Sequence, residues 1–421
     1  MSDVQVEVCG PVGLITLNRP KALNALSLAM VRDLTTVLLR WRGDSNVEAV
    51  AIRGMSKHGA FGAFCAGGDI RFFHQAALAG NPELEDFFTE EYSLNHLIFT
   101  YPKPYIAMMD GIVMGGGMGI SQGAKLRIVT ETTKMAMPET HIGLFPDVGG
   151  GYFLSRCPGH LGEYLALTGQ MLGGADAVTA GLADVMLQSA DLPALWEGLA
   201  RPGAVAALLA QTKAGPAGTS NGFMGSGTEI DACFGQKDMV AIVVALEQSG
   251  SAWAQATLAT LRTRSPLMLH VVLEQVRRAR EMTLADDLRM ERDMVRHCFQ
   301  TAHLQRTGAD SETVEGIRAL AVDKDHAPCW SPARLEDVTP DMVMPFFDSP
   351  WPAHAHPLAR LGQGNSAASQ RLRDFMARST SRLPSRSLMV SRLSCSALPL
   401  ASAISHFTLP AFQCRLSGTS V

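Results

Sequence analysis

The sequence lacks the signals that define several classes of protein. None of its eight cysteines forms a C-x-x-C pair, so it lacks the main sequence signal for a zinc site or a dithiol redox centre. The cysteines are scattered from Cys9 to Cys414, which fits a reducing compartment better than a disulfide scaffold. No run reaches the ~18 apolar residues expected of a membrane-spanning helix. The bulk sequence therefore predicts a soluble globular protein.

An excess of basic charge is also absent. The net charge is −4 and the isoelectric point is about 6.3, so the composition favours neither nucleic acid nor an anionic membrane as a partner. The first residues contain no basic region followed by an apolar segment, so no secretory leader is predicted. We therefore expect a cytoplasmic protein with no nucleic-acid or membrane partner. A homo-oligomer is compatible with the composition.

The C-terminal end lacks the acidic and lysine residues of the rest of the chain. Residues 360–421 contain no Glu and no Lys, and their one acid is Asp374. Their Ser- and Arg-rich composition shows no sustained amphipathic period, which predicts a disordered tail over residues 351–421. A basic docking tail and a displaced reading frame are the alternatives that this composition leaves open.

The order of strand and helix patterns predicts the fold class. Short apolar strands alternate with helical segments through about Leu187, which is typical of an α/β protein with crossover connections. From about Leu192 the pattern is mainly helical. We therefore predict an α/β core over residues 1–190 and a helical region over 191–350 that completes the site.

Three glycine-rich segments carry most of the chemical information. Residues 114–119 (MGGGMG) follow a short apolar strand, and such a turn can direct free N–H groups at a developing negative charge. Residues 64–70 (FCAGGDI) lie between a buried strand and a helix, which is typical of an N-terminal helical turn. Residues 137–151 place Glu139 and Asp147 in an apolar surrounding, where carboxylates are costly unless paired or used. Together they indicate acyl chemistry, with an oxyanion hole beside two acids.

These segments resemble the crotonase (enoyl-CoA hydratase/isomerase) superfamily. The resemblance covers about residues 4–190 and includes residues 12–20 (VGLITLNRP) and 66–69 (AGGD). Residues 90–95 (EEYSLN), 314–319 (VEGIRA) and 323–330 (DKDHAPCW) are similar to the superfamily's 3-hydroxyisobutyryl-CoA hydrolase branch and extend the resemblance to about residue 347. It implies a spiral core of ββα repeats with a helical C-terminal region.

The resemblance also implies roles for individual residues. The backbone N–H groups of Gly68 and Gly116 would form the oxyanion hole. Glu139 corresponds to the catalytic glutamate, Asp147 to the second acid of the hydrolase branch, and Glu91 to a residue near the acyl group. The coenzyme A adenine would lie, largely against backbone, near a further set of residues: Lys21, Ala22, Leu23 and Ala66.

One position separates the branches of the superfamily. Hydratases carry a second catalytic glutamate three residues after the oxyanion glycine, and this chain has Gly119 there. A glycine can neither activate water nor deliver a proton, which argues against a hydratase. The resemblance to the hydrolase branch then implies hydrolysis of a short 3-hydroxyacyl-CoA thioester, with (S)-3-hydroxyisobutyryl-CoA of valine breakdown as the favoured substrate. No cofactor or metal is implied, since coenzyme A is part of the substrate. The alternatives are an enoyl-CoA hydratase or isomerase and a non-catalytic acyl-CoA-binding protein.

Other residues are weaker candidates. His141 lies between the two acids but has no apparent nucleophile partner, so a loop role is favoured over a base. Cys65 precedes the oxyanion segment and is a minor candidate for a nucleophile. Residues 323–326 resemble a metal spacing, although a solvated turn is the favoured interpretation. Arg277, Arg278 and Arg280 are expected on a solvated helix face, with a contact to coenzyme A phosphate as the alternative.

Overall fold

The structure is a computed structural model that describes residues 2–212 and 227–363. Its strands are β1 (Val4–Cys9), β2 (Val12–Leu17), β3 (Ala49–Ser56), β4 (Gly59–Ala60), β5 (Tyr105–Met109), β6 (Ile112–Met114), β7 (Leu126–Thr130), β8 (Lys134–Ala136) and β9 (Val185–Leu187). The helices of the N-terminal half are α1 (Leu28–Arg42), α2 (Ile70–Ala79), α3 (Glu83–Phe99), α4 (Gly116–Gln122), α5 (Gly150–Leu154), α6 (Leu161–Thr168), α7 (Gly174–Thr179), α8 (Leu192–Gly198) and α9 (Ala204–Thr212). The later helices are α10 (Gly227–Phe234), α11 (Met239–Ser249), α12 (Ala252–Leu261), α13 (Pro266–Ala279), α14 (Leu284–Phe299), α15 (Glu312–Ile317) and α16 (Pro340–Val343).

The strands repeat a ββα unit, as expected for the spiral core. The larger sheet has the order β1-β2-β3-β5-β7-β9, with β4 paired to β3. In this sheet β1 and β2 are antiparallel, whereas β2, β3, β5, β7 and β9 run parallel. The short strands β6 and β8 pair in a second, parallel sheet. The strands β3, β5 and β7 are each followed by a short strand and then a helix, while β1 and β2 form a hairpin before α1. The predicted α/β class with ββα repeats is confirmed.

The larger sheet is buried on both faces. One set of its side chains, including Ile15 and Met109, joins the core formed with helices α1, α3 and α10–α15. The alternate set, including Leu14 and Met108, packs against Trp196 and its neighbours on α8. The central strands β2 and β5 are therefore buried along their whole length, as expected for parallel strands with both faces covered, whereas the edge strand β1 is largely exposed.

Local sequence signals explain the helix starts that position the site. The Ser27 side chain accepts the Met30 N–H at 3.3 Å at the start of α1, which is the usual role of a serine at this position. Asp69 caps α2 by accepting the Phe72 N–H. Helix α15 begins at Glu312, after the Ser311 cap, and continues as a π-helical turn, Arg318–Val322.

The structure of residues 351–363 corrects the predicted start of the disordered tail. The Trp351 ring lies 4.8 Å from the Arg292 guanidinium carbon, the Leu361 carbonyl accepts a 2.8 Å hydrogen bond from Arg289, and Leu358 is buried. Residues 351–363 therefore pack on α14, because they supply apolar and aromatic contacts, and the disorder predicted from residue 351 onward is wrong for them. The Ser- and Arg-rich part beyond residue 363 lies outside the described residues. The division at residue 190 and the possible homo-oligomer stay predictions.

No helix among the described residues is both long enough and apolar enough to cross a bilayer.

Candidate active site

A glycine turn between β6 and α4 forms one wall of the candidate site. Gly115 has φ 48° and ψ −120°, a conformation that is strongly disfavoured for any residue with a Cβ atom. A Cβ on Gly115 would lie 2.7 Å from Oε1 of Glu139, and a Cβ on Gly116 would lie 2.5 Å from Oε1 of Glu91. The glycines are therefore required both by the backbone and by the two acids that lie against them.

Two backbone N–H groups at this wall are free to bind an anion. Gly67 lies beside the turn, since a Cβ on it would be 3.6 Å from the Gly116 nitrogen. Two backbone hydrogen bonds hold residues 67–69 to Leu26. The Leu26 N–H donates to the Gly67 carbonyl at 2.7 Å, and the Asp69 N–H donates to the Leu26 carbonyl at 3.0 Å. Within the described part of the chain, neither the Gly68 N–H nor the Gly116 N–H donates a hydrogen bond. The structure thus places the segments that carry the two predicted donors side by side, and their role as an oxyanion hole stays a prediction.

Three carboxylic acids, here named the acyl acids, surround the glycine turn. Glu91 lies on α3, Glu139 begins a 3₁₀ turn after β8, and Asp147 precedes α5. They are 2%, 7% and 6% exposed, respectively. Oε1 of Glu91 and Oε2 of Glu139 are buried without a hydrogen-bond partner among the described residues. Such unpartnered oxygens are costly in a folded protein, which marks them as groups that meet substrate or water.

Burial and mutual repulsion shift the acyl acids toward their protonated forms. Burial raises the pKa of Asp147 to about 7, although the O–H of Tyr92, which donates to its Oδ2 at 2.9 Å, acts in the opposite direction. Burial and then the charge of Asp147 raise the pKa of Glu139 well above its usual range. Burial, and then the charges of Asp147 and Glu139, raise the pKa of Glu91 well above its usual range. Asp147 can therefore exchange a proton near neutral pH, as a general acid or base must.

A second buried acid pair, here named the supporting pair, holds the loop that carries Asp147. Glu291 on α14 accepts the Gly149 N–H at 2.7 Å and the Gly151 N–H at 3.0 Å. Asp287, one turn earlier, accepts the Tyr152 N–H at 3.0 Å. These donors are the free N–H groups at the start of α5. The helical C-terminal region therefore fixes the backbone directly after Asp147.

The position that distinguishes hydratases has no room for a side chain. A Cβ on Gly119 would lie 2.6 Å from Cβ of Val148 and 2.9 Å from Nδ2 of Asn95. Val148 has φ 55°, an uncommon conformation for a β-branched residue that occurs at functional sites. The loop that supplies Asp147 thus also fills the space in which a carboxylate on residue 119 would begin.

Several residues of this site were missed by sequence reasoning. Tyr92 and Asn95 lie within the quoted 90–95 segment, and the four-residue spacing of Glu91 and Asn95 would have placed them on one helix face. The same spacing links Asp287 and Glu291. Their contacts with α5 join residues 135 to 142 positions apart in sequence, and no local signal reports such a contact.

The residues expected near the adenine form an edge beside the oxyanion segment. The Leu23 carbonyl accepts the Ala66 N–H at 3.0 Å, and Leu23 has φ 51° and is exposed. Lys21 is also exposed and Ala22 is half-buried. A groove of about 740 Å³ runs along α2 and is lined by residues that include the exposed cations Arg71 and Lys324. The edge formed by residues 21–23 and Ala66 would contact a nucleotide mainly through its backbone, and this binding role stays a prediction.

The weaker candidates have other partners. Burial raises the pKa of the Cys65 thiol to about 12, which disfavours the thiolate that a nucleophile requires. The His141 ring nitrogens lie 3.0 Å from the Pro138 carbonyl and 2.6 Å from Arg264, and burial lowers the pKa of His141 to about 4. Neither residue has the properties of the catalytic group.

The charged turn at residues 323–326, for which a solvated turn was the favoured interpretation, and the arginine cluster contact neighbouring protein groups. Arg318 forms 2.7 Å ion pairs with both Asp323 and Asp325. Arg277 donates to the Lys237 carbonyl. Arg278 forms an ion pair with Glu274, and Arg280 forms one with Glu163. These contacts favour structural roles over ligand binding.

Comparisons with known proteins agree with this geometry. The enoyl-CoA hydratase/isomerase family matches residues 12–347. A protein of Xenopus tropicalis named mitochondrial 3-hydroxyisobutyryl-CoA hydrolase is 41% identical over 81% of this chain and 87% of its own length. The protein of the same name in Rattus norvegicus is 41% identical over 83% and 89%, and 3-hydroxyisobutyryl-CoA hydrolase 1 of Arabidopsis thaliana is 39% identical over 82% and 92%.

Two solved structures share the fold over most of the chain. A carnitinyl-CoA dehydratase from Mycobacterium thermoresistibile has a TM-score of 0.75 and 39% identity and covers 84% of this chain and 98% of its own. An enoyl-CoA hydratase from Rhodobacter sphaeroides has a TM-score of 0.73 and 36% identity, with coverages of 83% and 98%.

These comparisons also correct one expectation. The frog and rat relatives carry the word mitochondrial in their names, which points to the mitochondrion, so the expected cytoplasmic location is wrong. Composition alone misled here, because a globular protein has the same bulk properties in either compartment. The match over residues 12–347, together with the ββα core and the glycine turn, shows that the chain belongs to the enoyl-CoA hydratase/isomerase family.

Proposed function

We propose that the protein hydrolyses the thioester of 3-hydroxyisobutyryl-CoA to the free 3-hydroxy acid and coenzyme A. The observation that carries this proposal is the set of acyl acids beside the unpaired N–H groups of Gly68 and Gly116. The names of the relatives at about 40% identity support the same substrate. The names also support a place in valine breakdown, where this thioester would be the substrate.

In the proposed reaction, the thioester oxygen accepts hydrogen bonds from the two glycine N–H groups. Negative charge develops on this oxygen as a tetrahedral intermediate forms, and each preorganised donor is typically worth ~10²–10³ in rate. Collapse of the intermediate breaks the C–S bond and releases the coenzyme A thiolate, which takes up a proton. The acyl acids supply the nucleophile and the proton transfers.

Glu139 has two chemically balanced routes. Its carboxylate can attack the carbonyl carbon, which yields a mixed anhydride that water then hydrolyses to regenerate the acid. It can instead take a proton from a water molecule whose oxygen attacks the same carbon. In either route Asp147 positions water or the acyl chain, and its pKa of about 7 allows it to exchange a proton at neutral pH.

Hydration of an enoyl-CoA is the second candidate function. The two similar solved structures are those of proteins named as a dehydratase and a hydratase. Against this function, a carboxylate three residues after the oxyanion glycine is missing, and Val148 and Asn95 leave no room for a side chain there. A non-catalytic acyl-CoA-binding role is disfavoured, because binding alone gives no reason to bury three acids, two of which have an unpartnered oxygen.

A direct rate comparison tests the proposal. Thiol release is measured with 3-hydroxyisobutyryl-CoA and a small panel of other acyl-CoA thioesters, and hydration of crotonyl-CoA is followed by the loss of enoyl absorbance. We expect thiol release from the 3-hydroxy substrate to be the fastest reaction. If crotonyl-CoA hydration is faster than thiol release, the hydratase function replaces the hydrolase function.

A further inference from the structure

Asn95 is a buried amide whose polar atoms lack partners. Its side chain is 2% exposed, and among the described residues neither Oδ1 nor Nδ2 has a hydrogen-bond partner. The contrast with Asn24, which is also buried, is direct. Asn24 accepts the Arg19 N–H at 2.8 Å and donates to three carbonyl oxygens, of which the nearest belongs to Ala63 at 2.9 Å. Asn24 is a structural amide, whereas nothing in the described structure satisfies Asn95.

The unpartnered amide lies beside helix α4, which carries the predicted oxyanion residue Gly116. Asn95 is four residues beyond Glu91 on α3, about 6 Å further along the helix axis. Glu91 lies against Gly116, the oxyanion residue, and Asn95 lies against Gly119, one turn further along α4. An acyl chain that extends along α4 from Gly116, the predicted oxyanion residue, would therefore pass Glu91 first and Asn95 second.

We infer that the Asn95 amide recognises the 3-hydroxyl group of the acyl chain. This inference rests on the proposed function and names a residue that sets its substrate class. The hydroxyl oxygen, three bonds from the thioester carbon, accepts from Nδ2, and the hydroxyl proton is donated to Oδ1. An amide offers one donor and one acceptor side by side and therefore matches a hydroxyl group. An acyl chain without the hydroxyl leaves both amide atoms unpaired, and sites of this kind discriminate strongly against such analogues.

The test compares two substrates that differ only in the hydroxyl group. Asn95→Leu keeps the approximate shape of the side chain and removes both polar atoms. We expect kcat/KM for 3-hydroxyisobutyryl-CoA to fall about 10²-fold, while kcat/KM for isobutyryl-CoA changes less than about threefold. Ser93→Ala is the matched control, because Ser93 lies on the same helix and donates to the Thr89 carbonyl; we expect it to leave both values unchanged.

Two outcomes overturn the inference. An equal loss with both substrates shows that Asn95 maintains the structure of the site, and an unchanged preference shows that it does not contact the hydroxyl. If Asn95→Leu does not fold, Asn95→Ala is measured in the same way.

A binding measurement separates this inference from the proposed function. Calorimetric titration of the Glu139→Gln protein, with and without Asn95→Leu, compares the affinities of the two acyl-CoA thioesters. We expect Asn95→Leu to abolish the preference for the hydroxylated ligand. Failure of the wild-type protein to release thiol would refute the hydrolase function, while the titration would still confirm or refute hydroxyl recognition.

Discussion

The acyl acids and the supporting pair are chemically alike but differ in their partners. Both groups are buried, and burial raises the pKa of a member of each, Asp147 and Asp287, to about 7. In the supporting pair, Glu291 accepts two backbone N–H groups and the Gln275 amide. Asp287 accepts the Tyr152 N–H at Oδ2, while its Oδ1 has no partner among the described residues. Among the acyl acids, one oxygen of Glu91 and one of Glu139 accept no hydrogen bond from the described residues.

This difference shows which buried acids to assign to chemistry. A shifted pKa alone marks both groups, because burial shifts any carboxyl group. The number of donors separates Glu291 from Glu91 and Glu139, since a carboxyl with a donor on each oxygen is used for structure. Asp287 belongs with Glu291 because it accepts the Tyr152 N–H at the start of α5. An unpartnered carboxyl beside unpaired N–H groups is available to a substrate. The supporting pair should therefore govern stability, and the acyl acids should govern rate.

The largest effect is expected for Glu139→Gln. This change keeps the shape of the side chain and removes its ability to attack or to take a proton. We expect kcat to fall ~10²-fold or more with little change in melting temperature, as measured by thiol release and thermal denaturation. Glu291→Gln is the matched control in the supporting pair. Near-native turnover of the Glu139→Gln protein would remove this residue from the mechanism.

Asp147→Asn should also reduce turnover, by roughly 10- to 100-fold. The asparagine oxygen can still accept the Tyr92 hydrogen bond, so the loop should stay in place while the titrating group is lost. Calorimetry should show unchanged affinity for coenzyme A, because Asp147 lies at the acyl end. Weaker coenzyme A binding at normal turnover would contradict this placement.

Glu291→Gln should reverse the pattern and lower stability more than rate. A glutamine presents one oxygen, so either the Gly149 or the Gly151 N–H loses its acceptor. The loss should cost about 1–3 kcal/mol in the free energy of unfolding, measured by denaturant titration, with a fall in kcat well below that of Glu139→Gln. Glu281→Gln serves as the control, because Glu281 is exposed and lies in the turn before α14. If kcat falls as far as in Glu139→Gln while stability is unchanged, the two groups are not distinct.

The smallest effect concerns pH and Asp287. Its pKa is about 7 in the folded protein because of burial, against about 4 in an unfolded chain. Between these values the folded state binds the extra proton, so this group's contribution to stability is lost as pH rises from about 4 through 7. Asp287→Asn carries no titrating group there, and its melting temperature should vary less with pH. The change in slope should not exceed about 1.4 kcal/mol per pH unit. A wild-type slope in the variant would refute the shift.

Much of the fold follows from local sequence signals. Apolar alternation and turn residues predict β1 and β2 with the bounds that the structure has, and Ser27 and Asp69 begin helices as their side chains require. The glycine turn and the pair Glu139 and Asp147 were likewise visible. A small polar residue or a glycine in an apolar segment is a local anomaly that needs no tertiary information to be noticed.

Only the tertiary structure decided how these groups meet. Gly68 and Gly116 are 48 residues apart, and the adjacency of their segments depends on the pairing of strands and bridges rather than on any local preference. Asn95 and Val148 fill the space beside Gly119, and Glu291 reaches Gly149 across 142 positions. The sequence by itself determined which residues are chemically capable, because residue type and spacing are local properties. The tertiary structure decided which carboxyl groups are saturated and which are available, because hydrogen-bond partners are brought together only when distant segments pack.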